Sequence, residues 1–309
     1  MRTALFKLHA SVFLAGFTGV LGKVISLSEV PLVWWRMLFV AVILQVMLRL
    51  RNAYWRPGFG KLVILYGMGG LLALTWILFY GSVKAATVSV ALVCVSTMGF
   101  FTAAVTPLIL KTPLSPREFL YSAFAIAGIG LIFHFDTQYR LGITLGCLSA
   151  ALGSLYVILN KKYASHYPDQ NLVFLHEICG GFALITLYLV VFLSLRPETR
   201  FVPNAMDLIY LLILAGGCTV GMYVLQLQAL QVISPFTVNL TFNLEPVYSI
   251  ILAALLLDEG KTLTSSFFAG LGLILFSVAL QSRDVIKNRP RPPPPGSGPK
   301  SRESVRKII

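Results

Sequence analysis

From Leu62 to Val83 the chain runs through 22 residues without a charged side chain. An α-helix rises about 1.5 Å per residue and bilayer hydrocarbon is about 30 Å thick, so roughly 20 apolar residues make one crossing. Such runs recur. Cutting the sequence at its charged, proline-containing or polar breaks leaves ten apolar segments between Leu8 and Leu280, most joined by short connections. A β-barrel would show strands of about ten residues with alternating polarity, whereas these runs are continuous. Composition agrees, with 57% hydrophobic and 12% charged residues, against about a quarter charged in soluble proteins. The predicted fold class is an all-α integral membrane protein of ten transmembrane helices without a soluble domain. The first segment, preceded by Arg2 and Lys7, lacks a small-x-small cleavage pattern and reads as a first span rather than a removed signal.

Lysine and arginine favour cytoplasmic loops. With the N-terminus inside, 18 of the 25 basic residues fall on that side, five on the other, and Lys23 and Arg36 within spans. Both termini are therefore expected in the cytoplasm, and the net charge of +13 is read as attraction to anionic lipid, with no nucleic-acid partner. The stretch from 283 to 309, rich in proline, glycine and basic residues, is expected to be a disordered cytoplasmic tail. Cys94, Cys147, Cys179 and Cys218 lie in apolar runs without Cys-x-x-Cys spacing or a histidine pair. They read as small hydrophobes, with no metal site and no cofactor.

Two stretches about 148 positions apart share a pattern: TPLSPREFLYSAFAIAGIGLIF from Thr112 and KTLTSSFFAGLGLILF from Lys261. Each follows an apolar span and opens on a polar turn suited to a helix start. The chain thus divides at about residue 138 into halves, 1–138 and 139–282, of five spans each. An odd number makes the second half enter the membrane from the opposite side. Two inverted five-helix repeats are a recurrent architecture of secondary transporters, which expose a midplane site alternately to either side.

The first two segments, GFTGVLGKVISLSEVPLVWWRMLFVAVIL from Gly16, resemble the opening helices of the EamA family of the drug/metabolite transporter superfamily, with a lysine late in the first helix and an arginine early in the second. Lys23 and Arg36 match those places. The run LEPVYSIILAALLLDEGKTLTSSFFAGLGLILF from Leu244 resembles the family's closing helices, Pro246, Glu259 and Gly270 falling on its pattern. Thr97 stands where a proline is expected in the first half, and Leu110-Lys111 replaces a Gly-Glu type of turn. The resemblance implies a ten-helix bacterial inner-membrane (plasma-membrane) exporter or exchanger of small metabolites, often amino acids or related compounds, working without ATP. A nucleotide-sugar or phosphorylated-metabolite exchanger of the same superfamily is the alternative, and a non-transporting membrane adaptor is one of another class.

Ionisable groups in spans are costly, about 2.5 to 3.5 kcal/mol on insertion scales, and usually face the protein interior or a water-filled cavity. Lys23 and Arg36 share a depth near the expected outer face. They either reach the headgroups or pair with Glu29, or form a cationic recess for a substrate carboxylate. Glu177 sits two turns inside the seventh segment and beside His176; a zinc-protease pattern would need histidine at 180, where Gly180 stands. Its readings are pairing with an inner-loop base such as Lys161, binding of a substrate amine, or carriage of a proton. Glu245, tenth in the segment Pro235 to Leu257, is expected near the bilayer centre, flanked by Asn239 and Asn243, with Pro246 kinking the helix. It is either a protonated glutamate hydrogen-bonded to a neighbouring helix or a cavity-lining substrate or proton site. Gly16, Gly19 and Gly22 before Lys23 lack the remaining residues of a phosphate loop and read as a strip for close helix packing. Trp76, Tyr80 and Tyr223 fit a pore lining or interhelical hydrogen bonding alike.

Overall fold

The computed structural model describes residues 2–53, 55, 57–111, 120, 124, 127–128, 130–131, 137–164, 167, 169–230, 241–242, 244–259 and 264–287. Their regular structure is helical throughout. In chain order the helices are α1 (Arg2–Val24), α2 (Glu29–Leu50), α3 (Phe59–Ala85), α4 (Val88–Val95), α5 (Met98–Leu110), α6 (Arg140–Tyr163), α7 (Gln170–Leu195), α8 (Ala205–Ala215), α9 (Met222–Leu230), α10 (Glu245–Leu256) and α11 (Ser265–Lys287). A π-helical stretch, Gly216–Gly221, joins α8 to α9. Among the described residues, seven helical units are long and apolar enough to cross a membrane: α1, α2, α3, α4 with α5, α6, α7, and α8 through α9. Of the ten segments expected, the fifth, Phe119 to Phe135, lies mostly outside the described residues. The ninth and tenth contribute the shorter apolar stretches Val247–Leu256 and Ser265–Ser277. Helix α11 continues through Arg283 to Lys287, past the expected start of the tail.

Polar residues fix where the helices begin. The Thr87 hydroxyl accepts from the Val90 amide at the start of α4, and Asp169 from the Asn171 amide at the start of α7. Asn204 and Asp207 exchange side-chain and backbone bonds in a capping box at the start of α8. Each satisfies amide hydrogens that the first turn leaves without a carbonyl.

Small residues fix how closely the helices pack. Helices α3 and α7 cross nearly backbone to backbone, and a Cβ on Gly69 would overlap the Glu177 carbonyl oxygen. Gly142 and Gly146, four apart on α6, bring that helix against Ala86, Ser82 and Cys94. The strip on α1 serves three neighbours: Gly16 faces Ser249 of α10, Gly19 faces Val88 of α4, and Gly22 faces Tyr80 of α3. Close approach adds van der Waals contact, the main attraction between helices where no water is to be expelled.

The fourth unit is broken in its middle. Between α4 and α5 the Ser96 hydroxyl donates to the Leu92 carbonyl at 2.9 Å and the Thr97 hydroxyl to the Cys94 carbonyl at 2.6 Å. In the second half Thr241 and Phe242 are helical, Leu244 is a turn residue, and helix resumes at Glu245. Pro246 therefore lies in the first turn of α10 rather than kinking a continuous helix, and Glu245 opens a helix rather than sitting within one. A first-turn proline has no intrahelical donor to lose, which makes this its favoured place.

Gly69→Ala is expected to destabilise the protein by about 1–3 kcal/mol through overpacking at the α3–α7 crossing. Gly67→Ala, on the same helix with nothing within 4 Å of its added carbon, is expected to be neutral. Thermal unfolding of the two variants in detergent compares them directly.

Candidate functional site

Arg36, eighth residue of α2, is 4% exposed. Two tryptophans seat the start of its helix: the Trp34 indole donates to Thr186 of α7 and the Trp35 indole to the Phe201 carbonyl. The guanidinium carbon lies 3.7 Å from the Trp76 ring centroid. Nη1 donates to the Tyr80 hydroxyl at 2.8 Å, and Nε and Nη2 both donate to Thr219 Oγ1, at 3.1 and 2.9 Å. Thr219 accepts both because its own hydrogen goes to the Leu214 carbonyl at 2.8 Å, five residues back, in the π-helical stretch. Isolated π turns recur at functional sites, where they shift a side chain out of helical register. A guanidinium has five N–H donors, and three have acceptors here. Among the described residues no carboxylate bonds it. The site thus holds a buried cation, stacked and oriented, with donors to spare.

Lys23 has a different place. Its ammonium donates to the Val83 and Ala86 carbonyls at 2.9 and 2.8 Å, at the C-terminal end of α3. Lys84 returns the arrangement, donating to the Lys23 and Ile25 carbonyls at the end of α1. Each lysine caps the other's helix, where the dipole favours a cation. Neither Lys23 nor Arg36 bonds Glu29 among the described residues.

Two carboxylates of the second half reach into the first near the same helix ends. Asp207 accepts from the Ser26 amide at 2.7 Å and the Ser26 hydroxyl at 2.6 Å. Glu259 accepts from the Val88 and Ser89 amides at 2.8 and 3.0 Å and from the Ser89 hydroxyl at 2.8 Å, closing the N-terminus of α4. The sequence marked Glu259 only through a family pattern and did not single out Asp207. No local signal identifies a cap donated by a helix so distant in the chain.

Glu177, eighth residue of α7, is 1% exposed. Its partners are Tyr156 and Asn160 of α6 rather than Lys161: the tyrosine hydroxyl donates to Oε2 at 2.7 Å and the asparagine amide to Oε1 at 2.9 Å. Tyr156 and Asn160 are four apart, so both lie on one face of α6. The carboxylate and the guanidinium do not meet. Trp76, under the guanidinium, and Gly69, against the Glu177 carbonyl, are seven residues apart on α3, about 10 Å. On α6 the same step separates Ser149, whose hydroxyl bonds the Thr75 carbonyl, from Tyr156.

Glu245 is half-buried and has no hydrogen-bond partner among the described residues. One turn on, the Ser249 hydroxyl donates to the Gly16 carbonyl at 2.9 Å, and Tyr248 OH lies 3.3 Å from His9 Nδ1. Asn239 and Asn243 lie outside the described residues. Cys94 and Cys147, far apart in sequence, pack in one apolar cluster.

Thr219→Val is expected to cost about 1–3 kcal/mol by leaving two guanidinium donors without an acceptor. Thr219→Ser, which keeps the oxygen, is expected to cost far less. The unfolding midpoints of the purified variants separate the two.

A solved crystal structure described only as that of a protein matches with a TM-score of 0.60 at 15% identity, covering 91% of this chain and 97% of that one. That likeness shows the fold alone. No curated protein matches the chain. At the level of families, the match takes in residues 2–134 and 140–283. These two units leave out little more than the connection between them and the end of the chain. The apolar helices and the two-unit match agree: the chain is an integral membrane protein that belongs to the EamA-like transporter family.

Proposed function

We propose that this protein is a secondary active transporter that exports or exchanges small organic metabolites bearing an anionic group, amino acids or related compounds among them. Transport proceeds by alternating access between two inverted five-helix halves, residues 1–138 and 139–282, in a bacterial inner membrane with both termini cytoplasmic. The observation that carries this reading is the Arg36 guanidinium, buried without a carboxylate among the described residues and bonded to both halves through Tyr80 and Thr219. An arginine offers a carboxylate or phosphate a two-pronged hydrogen bond, and stacking on Trp76 holds its plane in place. An anion on the spare donors would supply the missing charge.

The contacts between halves support the cycle. Asp207 on Ser26 and Glu259 on the α4 start draw the halves together at the face expected to be outer. Opening that face has to break both, and anion binding at Arg36 bears on the same boundary. Lys23, engaged with the end of α3, holds the scaffold of the site rather than the substrate. Glu245, at the opening of α10 and beside α1, is a second candidate to line the path.

Metabolite profiling of medium and cytoplasm, in cells with the protein, without it, and with Arg36→Gln, tests this without prior choice of cargo. One or more anionic or zwitterionic metabolites are expected to shift between compartments only with the native protein. Arg36→Gln is expected to reduce the shift about ten- to hundredfold, equivalent to about 1.4–2.8 kcal/mol. Equal export by Arg36→Gln removes Arg36 from the site, and indistinguishable profiles with and without the protein remove the transport reading.

A further inference from the structure

Glu177 has all the marks of a buried charge except a partner of opposite sign. Both oxygens are occupied by neutral donors, Tyr156 on one and Asn160 on the other. Among the described residues no cationic side chain bonds it. We propose that Glu177, with Tyr156 and Asn160, is a proton site separate from the anion site at Arg36, loaded from one side of the membrane and emptied to the other in each transport cycle. This rests on the transport reading above and names the coupling ion for it.

The hydrogen-bond chemistry suits two charge states. With Glu177 ionised, the Tyr156 hydroxyl and the Asn160 amide donate to it, as the structure has them. With a proton on Oε2, the carboxyl O–H turns to the Tyr156 oxygen, because a hydroxyl accepts as readily as it donates. Asn160 goes on donating to Oε1, and its amide nitrogen is also 3.5 Å from the Tyr156 oxygen. Only the tyrosine hydrogen has to swing, so loading and release need no backbone movement. The proton binds to and leaves a carboxylate oxygen, and no bond between heavier atoms changes.

Two other cations fit less well. A metal ion takes a shell of several oxygen ligands, whereas the groups here direct N–H and O–H hydrogens at the carboxylate. A substrate ammonium held by Glu177 would belong to a molecule whose carboxylate has to reach Arg36. An ammonium is itself a donor, and the two neighbours of this carboxylate already turn their hydrogens toward it.

The surroundings connect the site to the moving parts. Helices α3, α6 and α9 bring titratable or charged groups toward it, and α2 brings an apolar one. Helix α9 brings Tyr223, stacked on Phe174 at 4.7 Å, its hydroxyl donating to the Gln170 carbonyl. Helix α3 brings Tyr66 against Gly180, and α2 brings Met37, the neighbour of Arg36, against Gly181. On its own helix His176 contacts the Trp55 carbonyl at 3.2 Å, and Lys161 follows Asn160 on α6. The Gly69 backbone presses on the Glu177 carbonyl from the first half. Sliding of α3 on α7 would therefore shift the backbone that carries this carboxylate.

Infrared difference spectra of the purified full-length protein in lipid, recorded across pH with no substrate present, read the proton itself. A carboxylic C=O band that grows as pH falls is expected in the native protein and is lost in E177Q. A band unchanged in E177Q, or lost in E245Q instead, overturns the proposal. Exchange of sodium for potassium is expected to leave the titration midpoint in place, and a sodium-dependent midpoint makes this a metal-ion site and overturns it. Should E177Q fail to fold, Y156F, which removes one donor and keeps the carboxyl, is expected to retain the band with a displaced midpoint; an undisplaced midpoint overturns the arrangement. Failure of the transport reading shows differently, as unchanged metabolite profiles with the titrating band intact.

Discussion

A helix end leaves four amide hydrogens or four carbonyls without partners, and inside a bilayer water does not complete them. In this protein charged side chains from neighbouring helices do so at several ends at once. Lys23 serves the end of α3, Lys84 the end of α1, and Glu259 the start of α4, while Asp207 secures Ser26 in the turn after α1. In these contacts the charges meet helix dipoles and backbone groups, which explains how lysines and carboxylates come to rest in so apolar a setting. Two of these contacts cross between the halves. Their geometry fixes the angle at which α1, α3 and α4 assemble, and hence where Arg36 finds Trp76, Tyr80 and Thr219.

Against this background of satisfied charges, Arg36 and Glu177 stand apart. Each is the eighth residue of the second long helix of its half, each is buried, and among the described residues each is held by neutral groups. Opposite signs at corresponding places give the two halves different chemistry on a shared frame. Burying a charge without a counter-ion is a cost that packing alone does not explain, and a transported anion and a coupling proton would each offset it.

The two halves also reach the same broken fourth unit by different routes. In the first, the Ser96 and Thr97 hydroxyls take backbone carbonyls and compete with the helical pattern. In the second, Pro246 supplies no amide and starts a helix, with Glu245 beside it. The second break carries an ionisable group and the first only hydroxyls.

Much of the fold was legible in order along the chain, because the requirement for about 20 apolar residues per crossing acts locally. The runs Leu62 to Val83 and Leu172 to Leu193 fall within helices α3 and α7, and the glycines of α1 were readable as a packing strip. The costly charges Arg36, Glu177 and Glu245 stood out for the same reason. What tertiary structure alone decided is how those charges are answered. Lys23 and Arg36 looked equivalent by depth, yet one caps a helix and the other stacks on Trp76, because the turns of α1 and α2 point them at different neighbours. Pro246 read as a kink because helix continuity depends on contacts the sequence does not show. Thr219, Tyr156, Asn160 and Asp207 are unremarkable polar residues in the sequence; the partner across the bundle gives each its role. Local hydrophobicity thus determined which residues enter the membrane, and long-range packing determined which partners their polar groups find there.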